Sequence, residues 1–243
     1  MDGFYYSNTI HYVAFQMYTL LLTQNNFIII AIDGGAAAGK SSTSRGLSER
    51  YRFMHVDTGS FYRATTLKLM QAGIEAQSDE ALATGLQALH LGTTLSGNTA
   101  SITINGWVPD QSIRSQAVND NVSHYAAIPE LRSFLLDYQR SLADVARQRG
   151  FEGLVMEGRD IGSVIFPDAD LRLYLYADPA KRALRRAKEG IADSIEKRDQ
   201  MDSSRKTAPL QIPDGATLID SSEMSLEEVI DKVATLIDAL RFP

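Results

Sequence analysis

Cysteine is absent from the 243 residues, so disulfides, thiolate chemistry and Cys-ligated zinc are excluded. Histidine is sparse, and His11, His55, His90 and His124 are too scattered along the chain to suggest a metal cluster. Neither sign of charge is in large excess: 24 basic residues stand against 30 acidic ones, a net charge of −6. That mildly acidic balance argues against polymeric nucleic acid or an anionic membrane as the main partner. The first 26 residues contain no Lys or Arg, so they lack both the basic leader of a secretory signal and the Arg-rich character of a transit peptide. Their longest apolar run falls far short of the roughly 20 residues that span a bilayer. Residues 1–26 therefore read as an amino-terminal appendage, consistent with an upstream start before Met17, on a cytosolic protein.

What is present alternates. Strand-like runs "FIIIAID", "FMHVD", "GLVMEG", "LRLYLYAD" and "ATLID" are separated by helical stretches, the pattern of parallel strands joined by crossover helices. The expected fold class is α/β with a central parallel five-stranded sheet in a three-layer arrangement. Asp178 and Pro179 open one helix; Ser225 and Glu228 form a capping box opening the last. The alternation breaks over residues 79–150, which hold a helix, a hairpin around Asn105 and Gly106 in "SITINGWV", and two more helices, the second begun by Pro129. This segment reads as an inserted subdomain. Residues 27–78 and 151–243 form the core around it, and the length suits one large domain carrying such an insert.

The stretch "FIIIAIDGGAAAGKSS" satisfies G-x-x-x-x-G-K-[ST] after a strand and before a helix, the context of a phosphate-binding P-loop. Gly34, Gly35, Ala36, Ala37, Ala38 and Gly39 keep side chains out of the way, so main-chain N–H groups can turn toward a polyphosphate. The following helix terminus adds positive potential, and Lys40 neutralises the outer phosphates. Ser41, with Ser42 beside it, is placed to hold or orient Mg²⁺. The alternative is a Gly/Ala-rich turn that merely packs a helix on a sheet. "DTGSFYR" follows the second strand with Thr58 near a helix cap and supplies Tyr62 and Arg63; an N-cap plus a surface Arg is the plainer reading. "MEGRD" ends the third strand with Glu157, Arg159 and Asp160, where open α/β sheets bind ligands, unless Arg159 is only a structural ion-pair partner. Nine of the basic residues fall between Lys181 and Lys206. Within "RDQMDSSR", Arg198, Asp202 and Arg205 lie at i, i+4 and i+7, one face of a helix. A solvated charged helix has the same signature. Beside a P-loop, an Arg-bearing lid that excludes water is the sharper reading.

Together these stretches resemble bacterial cytidylate kinases, members of the nucleoside monophosphate kinases of the P-loop fold. The likeness covers residues 27 to 240 and rests on "IAIDGGAAAGKSS", "DTGSFYR", "IRSQAV", "GRDIGSVIFPDADL", "RDQMDSSRKTAPL" and "LIDSSEMSLEEVI", in that order. The resemblance implies ATP as phosphoryl donor with Mg²⁺, CMP and dCMP as acceptors, and a monomer whose inserted subdomain receives the acceptor. By that likeness, Thr58, Tyr62 and Arg63 help hold CMP, while Ser123, Arg132 and Asp160 read the cytosine edge. Arg159, Arg198 and Arg205 grip phosphates and Asp202 the ribose, and Glu157 belongs to the same acceptor site. Arg182, Arg185 and Arg186 match the basic cluster of a helical lid over residues 181–206, with Arg182 and Arg186 on the ATP side. Three departures stand out: Gly35 where the family usually has Pro, Glu157 where Asp is common before "GRD", and a shorter lid between Arg186 and Arg198. Two other readings remain open at this point: a kinase for another nucleoside monophosphate or small metabolite, and a nucleotide-binding regulator without catalysis.

Overall fold

The computed structural model describes residues 27–188 and 195–241. The appendage over residues 1–26, with Met17, lies outside the described residues, as do residues 189–194 of the expected lid and the side chain of Arg186.

All five expected strands form: β1 (Ile28–Asp33), β2 (Phe53–Asp57), β5 (Gly153–Gly158), β6 (Leu171–Tyr176) and β7 (Thr217–Asp220). They pair in parallel in the order β2-β5-β1-β6-β7. The sheet is nevertheless larger than expected. Among the described residues it has seven strands, because a hairpin of β3 (Leu91–Ser96) and β4 (Thr99–Ile104) extends it, β4 pairing in parallel with β2 at His55↔Thr99 and Val56↔Ala100. The hairpin turns at Gly97 and Asn98, not at the Asn105–Gly106 pair. Asn105 and Gly106 do make a tight turn, both at positive φ, but it closes only a single bridge between Ile104 and Trp107. "LGTTLS" carries two apolar residues and no strong alternation, which is why β3 escapes a reading by hydrophobic pattern.

Period-two alternation places the core on both faces of the sheet. Ile28, Ile30 and Ile32 pack with Phe53, Val155 and Leu173 beneath α1 (Lys40–Tyr51) and α8 (Leu226–Arg241), which contribute Leu47 and Val233. On the opposite face Ala31, Met54 and Met156 meet α2 (Thr58–Gln71), α4 (Gln116–Ala126) and α5 (Pro129–Gln148) through Phe61, Val122 and Leu135. The result is three layers. Between β2 and β5 the chain also forms α3 (Glu80–Gln87) and a 3-10 turn, Gln111–Arg114; after β6 come α6 (Pro179–Lys188) and α7 (Ile195–Ser204).

Local signals behave as expected at most helix starts. Asp178 accepts from Ala180 N–H at 2.8 Å ahead of Pro179, and Pro129 opens α5. Ser225 and Glu228 exchange reciprocal bonds of 2.7 and 3.2 Å, the two halves of a capping box. At α2 Thr58 stands next to the cap, as expected: Asp57 is the N-cap, accepting from Ser60 N–H at 3.3 Å, and Thr58 is the first helical residue.

Candidate active site

Every parallel strand ends on the same edge of the sheet, and the site is built there from the segments that leave β1, β2 and β5. After β1 the chain turns at Gly34, whose φ of 148° and close approach to β6 exclude a side chain: a Cβ would lie 2.0 Å from the Leu175 carbonyl oxygen. Ala36, Ala37 and Ala38 lead to Gly39, the left-handed N-cap of α1 at φ 96°. Lys40 then folds back over the loop and donates from Nζ to the carbonyl oxygens of Gly34 and Gly35, at 2.8 and 2.7 Å. Its neighbour Ser41 donates from Oγ to Glu157 Oε2 at 2.7 Å, and the other Glu157 oxygen lies 2.9 Å from His55 Nε2. That carboxylate is almost wholly buried, so His55 and Ser41 between them hold its aim.

One cavity brings most of the expected residues together. Ala36, Ala37, Lys40 and Ser41 line one end of it. Thr58, Tyr62 and Arg63 come from α2, Ser123 from α4, and Arg132 from α5. Glu157, Arg159 and Asp160 come from the end of β5, and Arg198, Asp202 and Arg205 from α7 and its carboxyl end. Arg205 lies just past the helix, yet it reaches the same space as its partners. These side chains form a dense ionic network. Arg132 bridges Asp160 by a short bond and the Ala126 carbonyl at 2.9 Å, with its guanidinium 5.1 Å from the Tyr62 ring. Arg205 stands 3.6 Å from Asp160 and 3.7 Å from Asp202. Arg159 Nε donates to Asp202 at 3.1 Å, and Ser123 Oγ donates to the other Asp202 oxygen at 3.3 Å. Arg63 donates to Asn119 Oδ1 at 2.5 Å and to the Ile113 carbonyl at 3.3 Å.

A second cavity of about 550 Å³ opens on the other side of Lys40. Ala37, Ala38, Gly39, Lys40, Ser41 and Ser42 line it together with Arg185, Met224, Ser225 and Leu226. That volume is within the usual range for small-molecule sites. Arg185 is anchored there by Ser221, donating to its hydroxyl at 3.2 Å and to its carbonyl at 2.6 Å. Gly34, Gly35 and Arg182 line neither space; Arg182 instead clasps the loop from outside, donating to the Ala36 carbonyl at 3.2 Å.

Residues 30–239 match the family model described as Cytidylate kinase. A protein named cytidylate kinase from Streptomyces griseus is 37% identical over 232 residues, covering 93% of this chain and 99% of that protein. Others of the same name, from Streptomyces avermitilis and Clostridium botulinum, are 40% and 37% identical over 223 and 221 residues, covering 88% and 86% of this chain and 94% and 97% of theirs. The chain belongs to the cytidylate kinase family.

In this cytidylate kinase family member, burial shapes the electrostatics around the loop and the first cavity. Burial pushes the Lys40 ammonium down to about 7; the Arg159 charge adds to the fall, while Glu157, Asp199 and Asp33 oppose it. Asp33, behind the loop, is pushed up to about 6 by burial, although it accepts from Gly162 and Ile161 N–H at 2.8 and 2.7 Å. Burial also works to lower Arg132, but Tyr62 and Asp160 outweigh it and hold its pKa above the ordinary value. Arg205 is lowered by burial and by Arg132. Burial pushes the Tyr62 phenol up to about 12, so the ring stays neutral.

Three residues of this cytidylate kinase family site were not singled out from the sequence. Arg114 lines both cavities and pairs with Asp57 at 3.4 Å, and Asp199 grips the loop with Arg182. Asp33 ties β1 to the turn carrying Asp160. Arg114 stands inside "IRSQAV", which carries family likeness but no pattern that separates it from a surface Arg. Asp33 and Asp199 look like an ordinary strand end and an ordinary charged helix residue until the chain folds.

Proposed function

We propose that the protein transfers the γ-phosphoryl group of ATP to CMP and dCMP, giving CDP and dCDP. The observation that carries this reading is a single cavity with a P-loop lysine at one end and a buried, mutually paired Arg132 and Asp160 at the other. A carboxylate complements the exocyclic amino donor of cytosine, and a guanidinium complements the adjacent ring-nitrogen and carbonyl acceptors. With one N–H of each Nη of Arg132 spent on Ala126 and Asp160, further donors remain for a base. Asp202, already held by Arg159 and Ser123, is the acceptor proposed for the ribose, and Thr58, Tyr62 and Arg63 complete the acceptor site.

The chemistry follows from placement. An oxygen of the CMP phosphate attacks the γ-phosphorus in line; that bond forms as the bond from γ-phosphorus to the bridging oxygen breaks, and ADP leaves with the electron pair. The attacking phosphate is already anionic near neutral pH, so no general base is needed. Charge builds on the equatorial oxygens, toward which Lys40, Arg159, Arg198 and Arg205 of the cavity wall are placed, and preorganised cations stabilise it. Arg185 and Ser42 belong to the donor cavity, and Arg182 acts on the donor loop.

Ser41 Oγ and Glu157 Oε2, 2.7 Å apart on the cavity wall, form a pair of hard oxygen donors that fits Mg²⁺. Among the described residues no group of three His, Cys, Asp or Glu side chains could hold a metal, so substrate phosphates and water would have to complete the shell. Ser41 and Glu157 would hold the ion, and when bound it supplies neutralisation of the β- and γ-phosphate charge. In this reading the enzyme is a cytosolic monomer acting on free nucleotides, without nucleic acid or membrane; no helix among the described residues is long and apolar enough to cross a bilayer.

A panel of ADP-release assays with CMP, dCMP, UMP, AMP and GMP tests the assignment. CMP and dCMP should be turned over best. Equal or faster turnover of UMP would remove the proposed role of Asp160, and no ADP release with any acceptor would leave a binding protein.

A further inference from the structure

Asp199 sits on α7 between Arg198 and Asp202, but unlike them it does not line the acceptor cavity. Its carboxylate points to the P-loop. Oδ1 accepts from Ala36 N–H at 2.9 Å, and Oδ2 is paired by a short bond with Arg182 of α6. The same Arg182 nitrogen donates to the Ala36 carbonyl, and Nε donates to the Ala177 carbonyl at the end of β6, at 3.1 Å. Both polar groups of one loop residue, itself part of the cavity wall, are thus held by side chains from the two helices of the lid segment.

The contact occupies the space beside Gly35. A Cβ built there would lie 2.6 Å from Asp199 Oδ2 and 2.9 Å from Arg182 Nη1, so the pair seats where a side chain would stand. Gly35 is not at positive φ, which leaves room rather than backbone freedom as the relevant property. The pair is also far from a solvated surface bridge, its side chains being only 13% and 17% exposed. Losing one partner would strand the other charge in a poorly hydrated place. Because Asp199 and Arg198 are adjacent on one helix, the rotation that seats Asp199 on Ala36 also sets where Arg198 and Asp202 meet the acceptor.

We propose that Asp199 is a positioning residue that bolts α7 to the phosphate loop through Ala36 and Arg182, so that donor and acceptor binding are coupled through this contact. The proposal rests on the phosphotransfer reading above. A loop shaped by ATP fixes Ala36; Ala36 fixes Asp199; and Asp199 fixes the arginines around the acceptor phosphate. Errors of about 1 Å in such placement cost rates of the order of a hundredfold.

Calorimetric titration tests it with CMP, a non-hydrolysable ATP analogue with Mg²⁺, and the wild type, Asp199→Ala, Gly35→Ala and the double variant. In the wild type each ligand should tighten the other by about fivefold or more, at the lower end of ordinary coupling. Asp199→Ala should bring that factor close to one and lower kcat by roughly tenfold or more, on the usual cost of misplacement. Affinity for CMP alone should hold, and the melting temperature should fall moderately, because Arg182 loses its partner, while the protein stays folded at the assay temperature. Gly35→Ala, whose Cβ crowds the pair, should lower the coupling by the same or a smaller factor, and the double variant should be no worse than Asp199→Ala, because both changes act on one contact. Coupling retained in Asp199→Ala, absent in the wild type, or multiplied losses in the double variant would overturn the proposal. So would a loss of CMP affinity together with a collapsed melting temperature, the mark of a merely structural residue. A wild type that turns over no CMP overturns the functional reading itself; normal turnover with unchanged coupling in the variants overturns only the role of Asp199.

Discussion

On the proposed reading Lys40 has to be charged to meet a triphosphate, yet burial has pushed its pKa to about 7. The sign of the consequence is fixed: a bound polyanion raises the lysine pKa, so the protonated form is the one that binds. Donor affinity should therefore be greatest below about pH 7 and fall as pH rises above it, approaching tenfold per unit. Titrations with Mg-ATP analogue at pH 8 in buffers of different ionisation enthalpy should report net proton uptake; the absence of uptake would contradict the assignment. Lys40→Met should remove turnover, by at least a hundredfold on the usual cost of losing one preorganised charge, while circular dichroism and melting remain those of a folded protein. In Asp160→Asn the amide oxygen stays with the Arg132 donor, so the amide nitrogen faces the cytosine amino group, which needs an acceptor. The substitution should lower kcat/KM for CMP by about tenfold to a thousandfold, on the scale of an unpaired buried polar group, and narrow the gap between CMP and UMP. Parallel steady-state kinetics with both acceptors would check this, and an unchanged ratio would remove Asp160 from base reading. Lys40 and its glycines were legible before folding, since a P-loop is a local device written in consecutive residues. Glu157 was legible only as a carboxylate at a strand end; its hold on Ser41 and His55 joins residues 102 and 116 positions apart.

The joint between β1 and the turn after β5 illustrates how elements, rather than single side chains, carry the site. Asp33 ends β1 and accepts the main-chain N–H groups of Ile161 and Gly162, immediately beyond Asp160. Asp33→Ala would leave two buried donors without partners, at a cost of about 3 kcal/mol. The urea midpoint should fall accordingly, and KM for CMP should rise because Asp160 loses its support. A change below about 1 kcal/mol would mean that water replaces the carboxylate. Helix starts give a contrasting case. Asp79 caps α3 by accepting Leu82 N–H at 2.8 Å, outside both cavities, so Asp79→Ala should cost about 1 kcal/mol in the same denaturation experiment. The capping box at Ser225 and Glu228 was readable because both partners lie within one turn. β3 was not, because its strand character comes from pairing with β4, and β4 in turn from β2. The Asn105–Gly106 pair misled for the same reason: it specifies a tight turn, but not which strands meet across it.

Two cavities meet at Lys40, and on the proposed reading they let the whole molecule hold two phosphate-bearing ligands at once. Each ligand that binds only the folded state should raise stability by mass action, about 2.7 kcal/mol at a hundred times its Kd. Thermal shifts measured with CMP alone, Mg-ATP analogue alone and both should show two separate gains, with the donor gain lost in Lys40→Met and the acceptor gain kept. Loss of both gains would mean that Lys40 supports the fold rather than the donor. The existence of five parallel strands, the phosphate loop and the family likeness follow from the chain itself, because hydrophobic period, glycine spacing and capping pairs act between near neighbours. The hairpin that widens the sheet, the Arg132–Asp160–Arg205–Asp202 network and the Asp199 grip on Ala36 were decided only by the tertiary structure. Their partners are drawn from distant segments, and a charged residue in an unfolded chain carries no sign of which opposite charge burial will bring to it.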